Sequence, residues 1–535
     1  VISGQIGILL VIVFLENTHF ISNFHVLESF FMKPIGYQKI IEMFGLVVHE
    51  PATVSWLRSK GSERISRLQH GREEEIYPPR YDPGDRWQDN LAFAIKHEGV
   101  NLEALEALFQ KLPIGELIEW VKSAPHSRYV RVAWFLYEWF GNPRLQVPDL
   151  TQGNYIPVLD EKRCYSLQKR GEDANIRRQR VIDNLPGNPA YCCMIRRTPA
   201  LERYESERMD ERAKLAISKY PKDLLQRATR FLYVKETKSS FAIEKMEPDQ
   251  KRTARFIGLL EQAGRLDCYS KKELIKLQNA IVEARYAAPD YRDFQNYVGQ
   301  SLGPAREYVH FIPPKPEDLA GLMDGWMESC RRLEAGGVHP VITAAVAGYG
   351  FVFLHPFEDG NGRLHRFLIQ HALSAGGFGP NGVLFPVSAT ILKQMAKYDA
   401  SLEAYSRRIS QFVDYKLDEQ GAMTVSGDTR ALYRFPDLTA QAEALFGFIE
   451  DTISQEMVAE LDFLTVYDAA KSKIRNVVDM PDRRLDLFLR ICLEGKGNLS
   501  KTKRSLFKEL TNDEVKKMQE IVKAAIAEIP KKILD

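Results

Sequence analysis

HPFEDGNGRLHR, His355 to Arg366, joins an almost wholly apolar run to an amphipathic one, and the reading of the surrounding chain starts from it. Upstream, Val341 to Phe353 sets small residues (Ala344, Ala345, Ala347, Gly348) among large apolar ones, the pattern of a helix buried on all sides. His355 therefore emerges at the end of a rigid core helix. There packing can hold an imidazole of near-neutral pKa within reach of a proton to be taken. Downstream, Gly360, Asn361 and Gly362 open a second helix, from about Arg363 to Ser374. A glycine-rich helix start leaves amides that suit phosphate oxygens. Arg363 and Arg366 lie three apart, hence on one helical face, where two guanidinium groups can hold further phosphates. Asp359, with Glu358 as the alternative, offers a hard oxygen for a magnesium ion, and Phe357 anchors the loop in the core. A lone GNG or a lone histidine would mean little. Eight specified positions together arise by chance in about one chain in 10⁸ at average residue usage.

The 535 residues are 44% hydrophobic and 27% charged, an ordinary globular composition that suits roughly three or four domains. A formal net charge of +2 excludes whole-chain attraction to nucleic acid or anionic membrane, so any basic patch is local. Six cysteines form neither a CxxC pair nor a disulfide-scaffold spacing and read as reduced thiols of a cytoplasmic protein, the adjacent Cys192 and Cys193 included. The apolar run Ile6 to Leu15 is too short to span a bilayer, and no membrane association is expected. Residues 1–31 read as an upstream extension or disordered leader.

Residues 32–200 form an N-terminal, mostly helical domain, with apolar spacings of three and four over Asn101 to Leu112 and Arg128 to Phe140. Its end, from about Asn142 to Pro199, is richer in Pro, Gly and Asn and predicts loops and a few strands. Residues 201–420 hold the motif. GAMTVSGDTR, after Gln420, reads as a linker, and residues 430–535 as a C-terminal helical domain with breaks at Pro481 and GKGN.

The motif resembles that of the Fic family, HxFx(D/E)GNGRxxR, and matches it at every position. Gln295 to Leu319, QNYVGQSLGPAREYVHFIPPKPEDL, is similar to the family's flap, so that the likeness spans about Leu201 to Gln420. It implies a mainly α fold: a Fic-type helical bundle with a small β-hairpin flap, flanked by the two helical domains. In that likeness Val309, His310 and Phe311 dock a target protein by strand addition. The implied reaction transfers AMP from ATP to a Ser, Thr or Tyr hydroxyl of a target, or of the chain itself. His355 is the base, Asp359 the Mg2+ ligand, and Gly360, Asn361, Gly362, Arg363 and Arg366 the phosphate site. Tyr398, in AKYDASL, resembles an aromatic that the family sets near the nucleotide; UTP and GTP remain alternative donors.

Ser240 to Glu244, SFAIE, resembles the family's inhibitory motif (S/T)xxxE(G/N), carried on a helix ahead of the core. The likeness implies that Glu244 pairs with Arg366 and takes the place of the γ-phosphate. Lys245 departs from the pattern's Gly or Asn. A second reading keeps the fold and uses Glu244 to position water for removal of AMP. A third, from another class, is a nucleotide-sensing regulator whose C-terminal domain binds DNA as a winged helix, through Lys496, Lys501, Lys503, Arg504 and Lys508. Self-association into a homo-oligomer stays open.

Overall fold

The computed structural model describes residues 32–69, 72–303, 306–379 and 383–528. The expected leader, 1–31, lies outside them. The chain divides into two compact units: residues up to 160 with 171–184, and residues 161–170 with 185 onward.

The first unit is less helical than the sequence pattern predicts. It contains a four-stranded sheet of β1 (Met32–Ile35), β2 (Thr53–Arg58), β3 (Ile65–Gln69) and β4 (Arg72–Tyr77), ordered β1-β2-β4-β3. Only β2 and β4 run parallel. The acidic run Glu73 to Glu75 of β4 falls in a stretch whose sequence pattern reads as mostly helical. In the fold it is a strand, because Arg64 and Arg67 meet Glu75 and Glu74 at 2.6 and 2.8 Å. Helices Tyr37–Phe44, Trp87–His97, Leu102–Lys111, Ile114–Ser123 and Arg128–Trp139 complete this unit, with short strands at 156–157, 175–176 and 181–182.

The second unit is built on helices: α1 (Lys222–Ile243), α2 (Pro316–Ala335), α3 (Pro340–Leu354), α4 (Asn361–Ala375), α5 (Val387–Lys393), α6 (Met395–Ser410), α7 (Thr439–Asp451) and α8 (Val458–Arg475). A hairpin of β5 (Val298–Gly303) and β6 (Arg306–Phe311) precedes α2, with two register irregularities. Proline opens α3, where its missing N–H is no loss, and the helix is buried on nearly every side. α3 and α4 lie in close contact. A Cβ on Gly348 would stand 2.6 Å from the Ile369 Cγ1, so only glycine lets the two backbones approach this far.

One apolar core runs from Tyr165 to Leu464, and a separate one joins Ala470 to Ala525. The segment expected as a linker after Gln420 is packed instead: Tyr415–Leu417 pairs with Met423–Val425, and Met423 joins the larger core. Asp418 closes its turn by accepting from the Gln420 and Ala422 amides, at 2.9 and 2.8 Å. Beyond Val425 the described residues hold helices and no strand, so the wing of a winged helix is not among them. Arg504, counted in the basic cluster, turns back to donate to the Phe507 and Leu510 carbonyls. All six cysteines are buried and no disulfide joins them. No described helix is long and apolar enough to cross a membrane.

Gly348→Val should lower unfolding stability by about 1–3 kcal/mol, the usual cost of overpacking a filled core. A urea midpoint equal to that of the unaltered chain would contradict the close α3–α4 contact.

Candidate active site

α3 ends at His355, whose φ of 50° and ψ of 58° place it in the left-handed region. Its N–H donates to the Phe351 carbonyl at 3.0 Å, which closes the helix, and its own carbonyl accepts from the Arg292 Nε at 2.9 Å. The Nδ1 lies 3.2 Å from the Val352 carbonyl oxygen. A carbonyl can only accept, so Nδ1 carries the ring proton and Nε2 is left with a lone pair. Desolvation, aided by the nearby Arg292 cation and opposed by the Val352 contact, pushes the pKa of His355 down to about 4. The ring is neutral at physiological pH and lines an open cleft.

The loop after His355 is braced by its own motif. Phe357 is fully buried near Tyr291 and Phe351. The Asn361 side chain grips the Phe357 peptide at both ends, accepting from its N–H at 3.1 Å and donating to its carbonyl at 2.7 Å. Gly360, at φ 89°, donates to the Asp359 Oδ1 at 2.6 Å and starts α4. Asn361, expected in the phosphate site, spends its side chain on holding the loop that exposes the amides.

Arg363 and Arg366 project from the first turns of α4 and are 1% and 3% exposed. The Glu244 carboxylate sits between them: Oε2 lies 2.8 Å from the Arg363 Nε and Oε1 2.6 Å from an Arg366 terminal nitrogen. The sequence comparison foresaw the second pairing and missed the first. Arg363 also donates to Asp359 at 2.6 Å and lies over the Phe241 ring, with its guanidinium carbon 5.2 Å from the centroid. Arg366 is met again by Ser240, which accepts through its hydroxyl at 2.8 Å and its carbonyl at 2.7 Å. Burial opposes the Arg366 charge, yet Glu244 holds that guanidinium protonated more firmly than usual. A Cβ on Gly362 would lie 2.5 Å from the Glu244 Oε1, so this motif glycine makes room for the carboxylate as well as opening the helix.

Glu244 caps α1 in a Schellman turn: the Met246 N–H returns to the Phe241 carbonyl and that of Lys245 to Ala242. Lys245 takes φ 56°, a conformation natural to glycine or asparagine, which explains the residues its position takes in the related pattern.

The cleft measures 810 Å³, a size suited to a nucleotide. Its lining joins His355, Glu358, Asp359, Arg366 and Tyr398 to Glu244 and to flap residues His310 and Phe311; Arg363 and Val309 are not part of it. Asp359 is about a third exposed despite its pairing with Arg363. Among the described residues no group of three or more His, Cys, Asp or Glu side chains is placed to hold a metal.

Two residues of this region went unread in the sequence. Arg292 is one. Glu236 is the other, almost wholly buried and accepting from the Ser388 N–H and hydroxyl at 2.8 and 2.6 Å. Desolvation pushes its pKa up to about 7 against the Ser388 hydrogen bonds and the Arg366 charge. A signal was available: Glu236, Ser240 and Glu244 recur every four residues and form one stripe of α1. That stripe faces Gln370 and Arg366, then Arg363, of α4.

Residues 268–373 match the Fic/DOC family. A protein adenylyltransferase Fic of Drosophila mojavensis is 44% identical over 69 residues, 13% of this chain and 14% of that protein. Another, of Drosophila persimilis, is 30% identical over 162 residues, 26% of this chain and 30% of that protein. The matched parts thus span less than a third of the length of these curated relatives. The crystal structure of a Fic family protein from Desulfovibrio desulfuricans G20 is 17% identical, over 61% of this chain and 85% of that one, with a TM-score of 0.35.

Because burial lowers the His355 pKa, the imidazolium should accumulate only near pH 4 rather than near 6.5. Titration of its ring C–H resonances by NMR tests this. A midpoint at or above 6.5 would contradict the desolvated, Nδ1-protonated state.

Proposed function

The chain carries a Fic domain, and we propose from it that the protein is an autoinhibited protein adenylyltransferase, moving AMP from ATP to a Ser, Thr or Tyr hydroxyl of a target protein or of itself. The observation that carries this reading is the accepting Nε2 of His355 on a cleft that also holds the glycine-rich start of α4 and Arg366. The target hydroxyl oxygen forms a bond to the α-phosphorus as the bond from that phosphorus to the bridging oxygen breaks. The hydroxyl proton passes to His355 Nε2, and pyrophosphate leaves with the bridging oxygen. Amides at Asn361 and Gly362 receive charge that grows on the α-phosphate, and Arg366 receives charge on the departing phosphates.

Asp359, with Glu358 beside it, is an oxygen donor on the cleft. Magnesium commonly binds through one or two carboxylates plus nucleotide phosphates, which fits this pair better than an all-protein cage would. When bound there, Mg2+ would offset phosphate charge. A target segment would dock along the flap strand β6, which carries Val309, His310 and Phe311. Six buried cysteines without a disulfide fit a cytoplasmic setting.

In the resting state Glu244 occupies the Arg366 guanidinium that a terminal phosphate would use, and transfer requires α1 to yield that arginine. Glu244→Gly should therefore raise AMP incorporation roughly tenfold or more, the worth of a charge-assisted bond of about 1.5–3 kcal/mol, while His355→Ala abolishes it. Incubation with ATP labelled at the α or the γ position is the check. Label arriving from the γ position, or equal incorporation by all three proteins, would refute the reading.

Lys245→Gly relieves about 1 kcal/mol of left-handed strain at the end of α1 and should slow basal transfer roughly fivefold. Faster transfer would show that the Schellman turn does not set the grip of Glu244. A second reading, hydrolytic removal of AMP from a modified target, draws on the presence of Glu244 and His355 on one cleft. Release of AMP from prelabelled target by the unaltered chain, lost on Glu244→Gly, would favour it.

A further inference from the structure

Arg292 is 6% exposed and spends its guanidinium on carbonyl oxygens from three separate parts of the chain. The Nε donates to His355 at 2.9 Å, one terminal nitrogen to Phe294 at 2.9 Å, and the other to Pro314 at 2.5 Å. Its backbone N–H donates to the Pro356 carbonyl at 2.9 Å. His355 and Pro356 begin the catalytic loop, Phe294 lies just before the flap strand β5, and Pro314 lies just after β6. One side chain therefore ties the base of the flap, on both sides, to the backbone of the histidine.

Neighbouring contacts follow the same plan. The Gln295 side chain donates to the Pro313 carbonyl at 3.0 Å, and that of Asn296 to the Phe357 carbonyl at 3.2 Å. The Tyr433 hydroxyl donates to the Ile312 carbonyl at 2.7 Å. None of these joins as many segments as Arg292. A guanidinium holds its donors in a rigid planar fork, and a buried cation stabilised by peptide dipoles tolerates little movement of its acceptors. Burial pushes the Arg292 pKa down to about 10, in keeping with a cation held chiefly by carbonyls.

We propose that Arg292 is a positioning residue that fixes the register between the flap and His355, and so sets the distance from a flap-docked hydroxyl to the base. This rests on the adenylyl-transfer reading for the flap's role, but the staple itself is a property of the fold. Ribose, base and phosphates would meet other groups of the cleft, so the defect on losing Arg292 should fall on the rate of transfer and leave ATP binding alone. A misplacement of about 1 Å at a reacting pair can cost 10²-fold in rate.

The test compares Arg292→Lys and Arg292→Met in a Glu244→Gly full-length background. It measures self-labelling with α-labelled ATP and amide hydrogen exchange by mass spectrometry. Both variants should lose at least tenfold in the saturating rate at an unchanged half-saturating ATP concentration, with lysine, which keeps fewer of the bonds, recovering part of the loss. Exchange should rise together in 298–311 and 355–361. The proposal is overturned if the variants label at the background rate, if only the half-saturating ATP concentration changes, or if exchange rises in one segment without the other. Should Arg292→Met fail to fold, Arg292→Lys decides by the same criteria. Absence of any label in the Glu244→Gly background would refute AMP transfer instead, and the exchange result would still decide the role of Arg292.

Discussion

Two guanidinium groups removed almost entirely from water stand one turn apart on α4, and a fold that buries such charges must pair them. Glu244 meets Arg363 and Arg366 at once, and the surrounding structure is arranged to allow it. Gly362 has no side chain because the carboxylate fills that space. Ser240 satisfies further donors of Arg366 from one turn back along α1, and Asp359 takes a share of Arg363. Since anionic phosphates suit the same cations, the proposed reading makes ligand and Glu244 competitors for one electrostatic site. On the proposed reading inhibition needs no separate device: it is the resting way of neutralising a phosphate site.

The helix that carries Glu244 is braced at a distance from the cleft. Glu236, two turns before Glu244, is anchored on Ser388 at the start of α5. Lys235 reaches Glu456 at 2.9 Å, Arg227 pairs with Asp468 on α8, and the Tyr220 hydroxyl donates to Asp462 at 2.7 Å. The pairs nearer the surface contribute little one by one. Together with apolar packing they fix the axial position of α1, and any shift that withdraws Glu244 must break them or carry α5 and α8 along.

What could be read in the sequence was what is local. His355, the glycines, the two motif arginines and the helices on either side declare themselves within a few residues of one another, and the hairpin of 298–311 within two short runs. Glu244 could be found by resemblance, but its contact with Arg363, across more than a hundred residues, could not. Arg292 was missed for the same reason: its partners at 314 and 355 are distant in sequence, and an arginine in a polar stretch reads as solvated. Glu236 was missed because a carboxylate on a helix is ordinarily exposed, although its spacing of four from Ser240 pointed inward. The strand β4 lay in a stretch of mostly helical spacing and the hairpin at 415–425 partly in a linker-like one; Arg64 and Arg67 supply the charge partners of the strand and Asp418 the turn of the hairpin.

The central claim is that Glu244 and the terminal phosphate of the nucleotide exclude one another at the Arg366 guanidinium. Calorimetric titration of ATP and of ADP, each with magnesium, into the unaltered chain and into Glu244→Gly tests it directly. The account predicts that the unaltered chain binds ADP at least as tightly as ATP, and that Glu244→Gly shifts the preference toward ATP by roughly tenfold, the worth of one charge-assisted contact. An ATP-to-ADP affinity ratio that is the same in both proteins would contradict it.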